Sequence, residues 1–375
     1  MKIDNVGVAT PSLGRLDWVD VAKGLGIVLM FYGHYLQRGI DVHNASAVDQ
    51  LRLIYSFHMP MFFVAAGFFF HPTDRVLNRT RQLALRRLVP VVFFSALLLP
   101  IWLQAEIRHH LPLWHDMESI GADYAEGFPD LDWVTWFLVC LFVCECLAAV
   151  FIHKAFRVRT LIGIGFTCLA VGLIFCAHSE TPNQGVLYTI GRTWFISEAL
   201  VALGFFAIGY ALFPYLQTIV TRRVLTIAVL TVATIIVVTT FRLNHPTAIA
   251  VMMAAREHGN PGLFALTAFS GTTAVIMLGM NLRNNRILAA IGRNALLLLG
   301  LNGLFFHYVN PLLERFMTPP DSEVVVALVA LLVTSLSLAL CAPIAHLINQ
   351  WLPQLVGKTR SVGPWLPAFE RRQVD

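Results

Sequence analysis

The chain has 375 residues, of which 57% are hydrophobic and 13% are charged, and its mean hydropathy is +0.68. A water-soluble domain of this length would leave much of that apolar surface facing water, so the composition predicts an integral membrane protein. The formal net charge of +5 comes without a basic stripe of interleaved aromatic residues outside the predicted loops, so we predict no nucleic-acid partner.

Ten apolar runs follow along the chain, each close to the ~20 residues that cross ~30 Å of hydrocarbon. They are continuously apolar, which favours helices over the alternating strands of a membrane barrel. Because the connecting segments are short, we predict a single all-α, polytopic membrane domain over residues 1–375, with a helical core over about 15–350 and short tails at 1–17 and 350–375. The predicted spans are Trp18–Leu36, Leu51–Phe70, Val89–Ala105, Leu131–His153, Thr160–His178, Trp194–Tyr215, Val224–Phe241, Gly262–Met280, Ile287–Val309 and Glu323–Asn349.

The distribution of Lys and Arg predicts the orientation of these spans. With a cytoplasmic N-terminus, eighteen of these residues fall in cytoplasmic segments and seven in the segments on the opposite side. This is the bias that the positive-inside rule describes. It predicts an even number of crossings, with both termini in the cytoplasm and the lipid bilayer as the surrounding partner.

Ionisable side chains at membrane depth are costly, so each is a functional candidate. Lys23 and His34 are eleven residues apart, which places them on one face of the first helix, roughly 16 Å apart along its axis. Asp20 precedes Lys23 by three residues and is a potential ion-pair partner. Two interpretations stay open: Lys23 extends to the headgroups and His34 bonds a neighbouring helix, or both face a site. The full set is Lys23, His34, His58, Glu145, Glu198, Arg293 and His307.

His58 lies in the next, antiparallel helix at a depth similar to that of His34. It either converges with His34 on a site or shapes a kink with Pro60, which frees a carbonyl group. Glu145 and Glu198 have no obvious partner on their own helices. Each is either protonated, paired with an arginine, or exposed to a water-filled cavity.

Two loops and the cysteines complete the set of candidates. Five arginines lie within Arg75–Arg87, where membrane topology with anionic lipid and a clamp for phosphate groups are equally good explanations. The acidic segment Glu106–Asp132 is predicted to be a solvated surface, with sugar binding as the alternative. The six cysteines lie within predicted spans as small packing residues, and their spacing predicts no metal site.

Several segments resemble the family-3 transmembrane acyltransferases, in particular the fucose 4-O-acetylase type. The opening helix carries Asp-x-x-Lys-Gly followed by Gly-His, and Lys23 and His34 match the family's basic residue, ten intervening positions and histidine. Further segments fit the family's patterns in order, so that the resemblance covers roughly residues 15–350. They are Phe57-His-Met-Pro-Met-Phe-Phe63, Trp136-Phe-Leu, Gly204-Phe-Phe-Ala-Ile-Gly209-Tyr and Ile291-Gly-Arg-Asn294.

The resemblance implies transfer of an acyl group, commonly acetyl, from a cytoplasmic acyl-coenzyme A to a hydroxyl of a sugar or cell-surface glycan. Acyl-coenzyme A is then a co-substrate, with no bound cofactor, and the enzyme takes part in O-acetylation during polysaccharide biosynthesis at the inner membrane. Under this hypothesis His34 is the general base or a transient acyl carrier, and His58 assists it. Donor phosphates contact Lys23, Arg86 and Arg87. Possible supporting residues are Asp20, Glu145, Glu198, Asn302 and His307.

The chain departs from the family pattern at three places. Ala66 precedes Gly67 where the family usually has serine, and the Arg86–Arg87 pair stands in place of a strict Arg-x-x-Arg. Asn302 stands where a histidine is common, with His307 five residues further on. The rival hypotheses are a transporter or flippase of lipid-linked sugar, and a non-catalytic membrane component. The acyl group, the acceptor and the oligomeric state stay open.

Overall fold

The computed structural model describes residues 16–73, 75–109, 113–179, 190–245, 249–317 and 322–370. Within these ranges the chain is helical, and its one β-type pairing is an isolated bridge between Met252 and Glu257. We number the helices of eight or more residues in chain order. They are α1 (Asp17–Leu36), α2 (Ala45–Tyr55), α3 (His58–Gly67), α4 (Val76–His109), α5 (Leu113–Ala125), α6 (Trp136–Phe151), α7 (Val158–Ser179), α8 (Ile196–Ile219), α9 (Arg223–Thr240), α10 (Pro261–Asn281), α11 (Arg286–Arg293), α12 (Ala295–Leu304) and α13 (Glu323–Trp351).

Eight helices in the described part of the chain are long and apolar enough to cross a membrane: α4, α6 to α10, α12 with its continuation to Met317, and α13. Helix α1 is more polar because it carries Asp17, Asp20, Lys23 and His34. Large apolar side chains are exposed along α9 and α13, as expected of helices that face lipid. The prediction of an all-α, polytopic membrane protein is confirmed, whereas the count of ten crossings stays a prediction.

Helix α1 lies at the centre of the bundle and packs against α2, α3, α10, α11, α12 and α13. Its closest neighbour is α11. A Cβ atom on Gly24 would lie 2.1 Å from the carbonyl oxygen of Leu288, and one on Gly292 would lie 1.8 Å from that of Asp20. Backbone contact this close requires a residue without a side chain. The two glycines therefore hold Lys23 on α1 beside Arg293 on α11.

Two predicted spans are broken in the structure. The span Leu51–Phe70 consists of α2 and α3, which are separated by a turn at Ser56 and Phe57, ahead of Pro60. The span Ile287–Val309 divides at Asn294 into α11 and α12 and ends in a π-helical turn at residues 305–309. A hydropathy pattern reports composition and not the backbone hydrogen bonds that are interrupted at these breaks.

The segment that follows α13 packs against the bundle. Gln354 and Val356, in the 3-10 turn Pro353–Val356, are buried. Further along, the carboxylate of Glu370 accepts two hydrogen bonds from Arg86 on α4, at 3.1 and 2.8 Å. The predicted C-terminal tail is therefore ordered as far as Glu370, the last residue that the structure describes.

Candidate active site

A cavity of about 340 Å³ opens at one end of α1 and is called here the Lys23 cavity. Its apolar walls include Ile27, Phe62 and Phe137, and Glu145 is the carboxylate that lines it. Five cationic side chains line it: Lys23, Arg79, Arg86, Arg87 and Arg293. The structure thus brings together the three residues predicted to contact the donor and places Arg79 and Arg293 beside them.

Carboxylates hold Arg87 and Lys23 in place, as Glu370 holds Arg86. Arg87 donates from Nε and Nη2 to the two oxygens of Glu145, at 2.8 and 2.9 Å. Lys23 pairs with Asp20 at 2.8 Å, as the spacing of the two residues predicts. Of the three interpretations open for Glu145, pairing with an arginine is the correct one, within a cavity. Arginine has five N–H donors and lysine three, so both cations keep donors for an anionic ligand.

A second cavity, of about 770 Å³, adjoins the first through Arg79, which lines both. We call it the polar cavity. Its cations are Arg75, Arg79, Arg81, Lys154 and Arg360, and Glu370 lies among them. Burial alone would raise the pKa of Glu370, but hydrogen bonds from Arg86, Thr359 and Arg360 hold that pKa below its usual value.

The third cavity, of about 110 Å³, lies at the other end of α1 and is called here the His34 cavity. His34 and His58 both line it, so the two histidines converge as one of the sequence interpretations predicts. Tyr55, Trp133, Trp136 and Phe306 provide aromatic walls. Backbone and side chains of residues 251–255 close its remaining side.

Each histidine is held by one ring nitrogen. Nδ1 of His34 pairs with Oδ1 of Asn302, and the His34 ring packs edge-on against Phe306 with 5.1 Å between centroids. Nδ1 of His58 donates to the carbonyl oxygen of Ile54 at 3.1 Å. His58 therefore adds a hydrogen bond to a carbonyl group at the break between α2 and α3 that also accepts from the Phe57 amide. It lines the cavity as well, as the interpretation of convergence with His34 predicts.

The segment 251–255, which closes the His34 cavity, is held in place by buried contacts of the residues that follow it. Arg256, with a left-handed φ of 66°, pairs with Glu198 at 3.4 Å, and Glu198 is 1% exposed. Nδ1 of His258 donates to the carbonyl oxygen of Arg256 at 2.7 Å. Burial lowers the pKa of His258 to about 4. Glu198 thus fixes the covering segment and does not line the cavity itself.

The Lys23 and His34 cavities approach each other along α3 and α6. On α3, Phe62 lines the first and Met59 the second. On α6, Phe137 lines the Lys23 cavity and Trp136 lines the His34 cavity. Three residues of helix correspond to ~5 Å. At their closest approach the cavities are therefore separated by a layer of side chains about one helical turn thick.

Two further residues from the sequence predictions, His307 and Asp132, lie outside the linings of the three cavities. His307 lies on the π-helical turn beyond Asn302, with its ring against Phe306, and does not line the His34 cavity. Asp132, predicted to lie on a solvated surface, is instead 0% exposed. Among the described residues no group of three or more His, Cys, Asp or Glu side chains is arranged to hold a metal ion.

Comparison with known protein families identifies the family of the chain that forms these cavities. The family model described as an acyltransferase domain matches residues 16–346, which is most of the chain. The chain belongs to the family-3 acyltransferases. This family-3 acyltransferase is a multi-pass membrane protein, and the resemblance seen in its sequence is confirmed at the level of the family. The fucose 4-O-acetylase type stays a prediction. Neither a search of curated proteins nor one of solved structures finds a match.

Proposed function

We propose that this enzyme transfers an acyl group, most simply acetyl, from cytoplasmic acyl-coenzyme A to a hydroxyl of a sugar in a cell-surface glycan or its precursor. One observation carries the proposal. Lys23 and His34, on the same helix, line two cavities that come within about one helical turn of each other. A donor bound among cations and an acceptor bound beside imidazoles would then meet at the layer between the cavities.

The donor fits the Lys23 cavity by charge and shape. Coenzyme A combines phosphate groups with a long, flexible arm that ends in the thioester. Arginine binds phosphate oxygens through two parallel N–H groups, and a partly buried site strengthens such bonds. The phosphates would contact Lys23, Arg86 and Arg87, with Arg79 and Arg293 completing the charge. The apolar wall of Ile27, Phe62 and Phe137 would receive the arm.

His34 has the geometry of a general base. When its Nδ1–H group donates to Oδ1 of Asn302, the lone pair of Nε2 is available to a ligand. The acceptor hydroxyl loses its proton to Nε2 as its oxygen bonds to the thioester carbonyl carbon. The carbon–sulfur bond then breaks, and the imidazolium returns the proton to the departing sulfur. The products are an ester and a free thiol, so no further reactant is required.

The walls of the His34 cavity suit a sugar. Tyr55, Trp133 and Trp136 offer flat faces to the C–H groups of a pyranose ring, and polar atoms of His58 and Gln37 are available to its hydroxyls. At about 110 Å³ the cavity is small, so the covering strip of residues 251–255 would move to admit the acceptor. In this arrangement the Lys23 end of α1 faces the cytoplasmic side of the inner membrane, and both termini lie on that side.

The decisive experiment is the His34→Ala variant, reconstituted with acetyl-coenzyme A and glycan isolated from cells that lack this protein. We expect acceptor-dependent thiol release and glycan acetylation by the unaltered enzyme, and loss of both in the variant at equal membrane level. His153→Ala is the matched control, because His153 is exposed and lines none of the three cavities.

The outcomes separate the enzyme from its rivals. Retained acetylation by His34→Ala contradicts the role of His34. Absence of acceptor-dependent thiol release from the unaltered protein, with several acyl-coenzyme A donors, contradicts acyl transfer and favours a transporter or a non-catalytic component. Mass spectrometry of the glycan then identifies the acyl group from the mass added.

A further inference from the structure

The carboxylate of Asp132 is buried, and none of the described residues forms an ion pair with it. The residue is 0% exposed and sits in the 3-10 segment Asp130–Thr135, where it is the residue with non-helical dihedral angles. Among the described residues neither carboxylate oxygen has a hydrogen-bond partner of normal geometry, and the Val134 amide is the backbone donor that most influences the group. A buried carboxylate in this state is costly, so its presence calls for an explanation.

The position of Asp132 suggests that explanation. A Cβ atom on Gly303 would lie 2.0 Å from Oδ1 of Asp132 and 2.6 Å from its Cγ, so the carboxylate rests directly on the glycine. Gly303 follows Asn302, the partner of His34. Asn302 is 0% exposed, and its Nδ2 group has no hydrogen-bond partner among the described residues. A buried acceptor without a donor thus contacts the residue that follows a buried donor without an acceptor.

We propose that Asp132 is a positioning residue that accepts a hydrogen bond from Nδ2 of Asn302, through a small rotation of the carboxylate or one water molecule. The proposal rests on the proposed role of His34 as the base. It concerns the orientation of an amide, whose oxygen and nitrogen ends have the same shape but opposite hydrogen-bonding character.

A hydrogen bond from Nδ2 of Asn302 stabilises the ionised form of Asp132, and in that form the carboxylate accepts hydrogen bonds and cannot donate them, so it selects the Nδ2 end of Asn302. Oδ1 of Asn302 is then turned toward His34, and it can only accept. The proton of the neutral imidazole is thereby held on Nδ1, which leaves the lone pair on Nε2. With the amide reversed, Nδ2 would donate to Nδ1 of His34, and Nε2 would carry the proton and could not act as a base.

The proposal makes activity and stability change in opposite directions. Replacing Asp132 with asparagine keeps the size of the side chain and removes an ionisable group from a buried position, so the variant should unfold no more readily than the unaltered enzyme. Its amide no longer selects one end of Asn302, so kcat should fall by about 10- to 100-fold, the range for residues that orient a functional histidine. The KM for each substrate should change less than twofold, because Asp132 touches neither.

A double-mutant cycle on kcat tests whether Asp132 acts through Asn302. The variants are Asp132→Asn, Asn302→Ala and the two combined, with Asp130→Asn, an exposed carboxylate two residues away, as the matched control. If Asp132 acts through Asn302, the combined variant is no slower than Asn302→Ala alone. Gly303→Ala is a second probe, since its Cβ displaces the carboxylate and should lower kcat in the same non-additive way.

Each outcome decides one question. If the losses of kcat in the two single variants multiply in the combined variant, the positioning role is overturned. Full activity of both Asp132→Asn and Gly303→Ala overturns it as well. Either result leaves the proposed function intact. If the Asp132→Asn variant unfolds more readily and loses activity in proportion, Asp132 is a structural residue instead. Activity retained by His34→Ala contradicts the proposed function itself.

Discussion

Replacing Glu145 with glutamine tests whether the Arg87–Glu145 pair fastens α4 to α6. The two hydrogen bonds of the pair are 2.8 and 2.9 Å long. The Glu145 side chain is 7% exposed and that of Arg87 is 23% exposed. Removing one partner of a buried ion pair costs about 3–5 kcal/mol, whereas a surface pair is worth about 0–1 kcal/mol. Because Arg87 borders a cavity, we expect the lower end of the buried range, about 3 kcal/mol for Glu145→Gln.

The assay is the free energy of unfolding in mixed micelles, titrated with sodium dodecyl sulfate, for Glu145→Gln, Arg87→Met and the double variant. We expect the double variant to be more stable than the sum of the single losses predicts, because it buries no unpaired charge. Glu118→Gln, which changes an exposed carboxylate on α5, is the matched control. A coupling energy below about 1 kcal/mol refutes the reasoning, since it would mean that water in the cavity already solvates Arg87.

Two further predictions concern the ends of α1. The pKa of His258 is lowered to about 4 by burial, and an unfolded histidine titrates near ~6.5. Stability is therefore complete above ~pH 6.5 and falls by up to about 3 kcal/mol as the pH drops to ~4. The protection factors of the amides of residues 251–255, which correct for the intrinsic slowing of exchange toward pH 4, should fall over that range in the unaltered enzyme but not in His258→Gln; equal protection factors at both pH values in the unaltered enzyme contradict this. At the Lys23 end, Gly292→Ala places a Cβ 1.8 Å from the Asp20 carbonyl oxygen. The resulting overpacking should cost about 1–3 kcal/mol and raise the donor KM, whereas Gly163→Ala, with nothing within 4 Å, should be neutral in the same two assays.

The sequence predicted the membrane fold and the family correctly because both depend on composition and on short, local patterns. Runs of apolar residues require helices in lipid, and the spacing of Lys23 and His34 fixes a shared helix face whatever the tertiary structure. The convergence of His34 with His58 could also be anticipated, since adjacent antiparallel helices bring residues of similar depth together.

Contacts between distant segments could not be predicted in this way. Glu145 lies 58 residues from Arg87 in the chain, and no local pattern relates the two. Asp132 was assigned to a solvated loop because its neighbours are polar. It is buried because the chain turns inward before α6 and Gly303 leaves room for its carboxylate. Asn302 was predicted as a possible supporting residue and as a departure from the family pattern, but its contact with His34 is visible only in three dimensions.

The contact between Glu370 and Arg86 has a consequence for protein engineering. The match to the family ends at residue 346, so a protein trimmed to that boundary loses Thr359, Arg360 and Glu370 together. Arg86 would then face the Lys23 cavity without its carboxylate partner, whereas the joint loss of Arg360 and Glu370 leaves the net charge of the polar cavity unchanged. Donor affinities measured on such a trimmed protein would describe a site with an unpaired Arg86, unlike the one this chain builds. Expression vectors for this enzyme should therefore retain the residues after α13 and carry purification tags away from them.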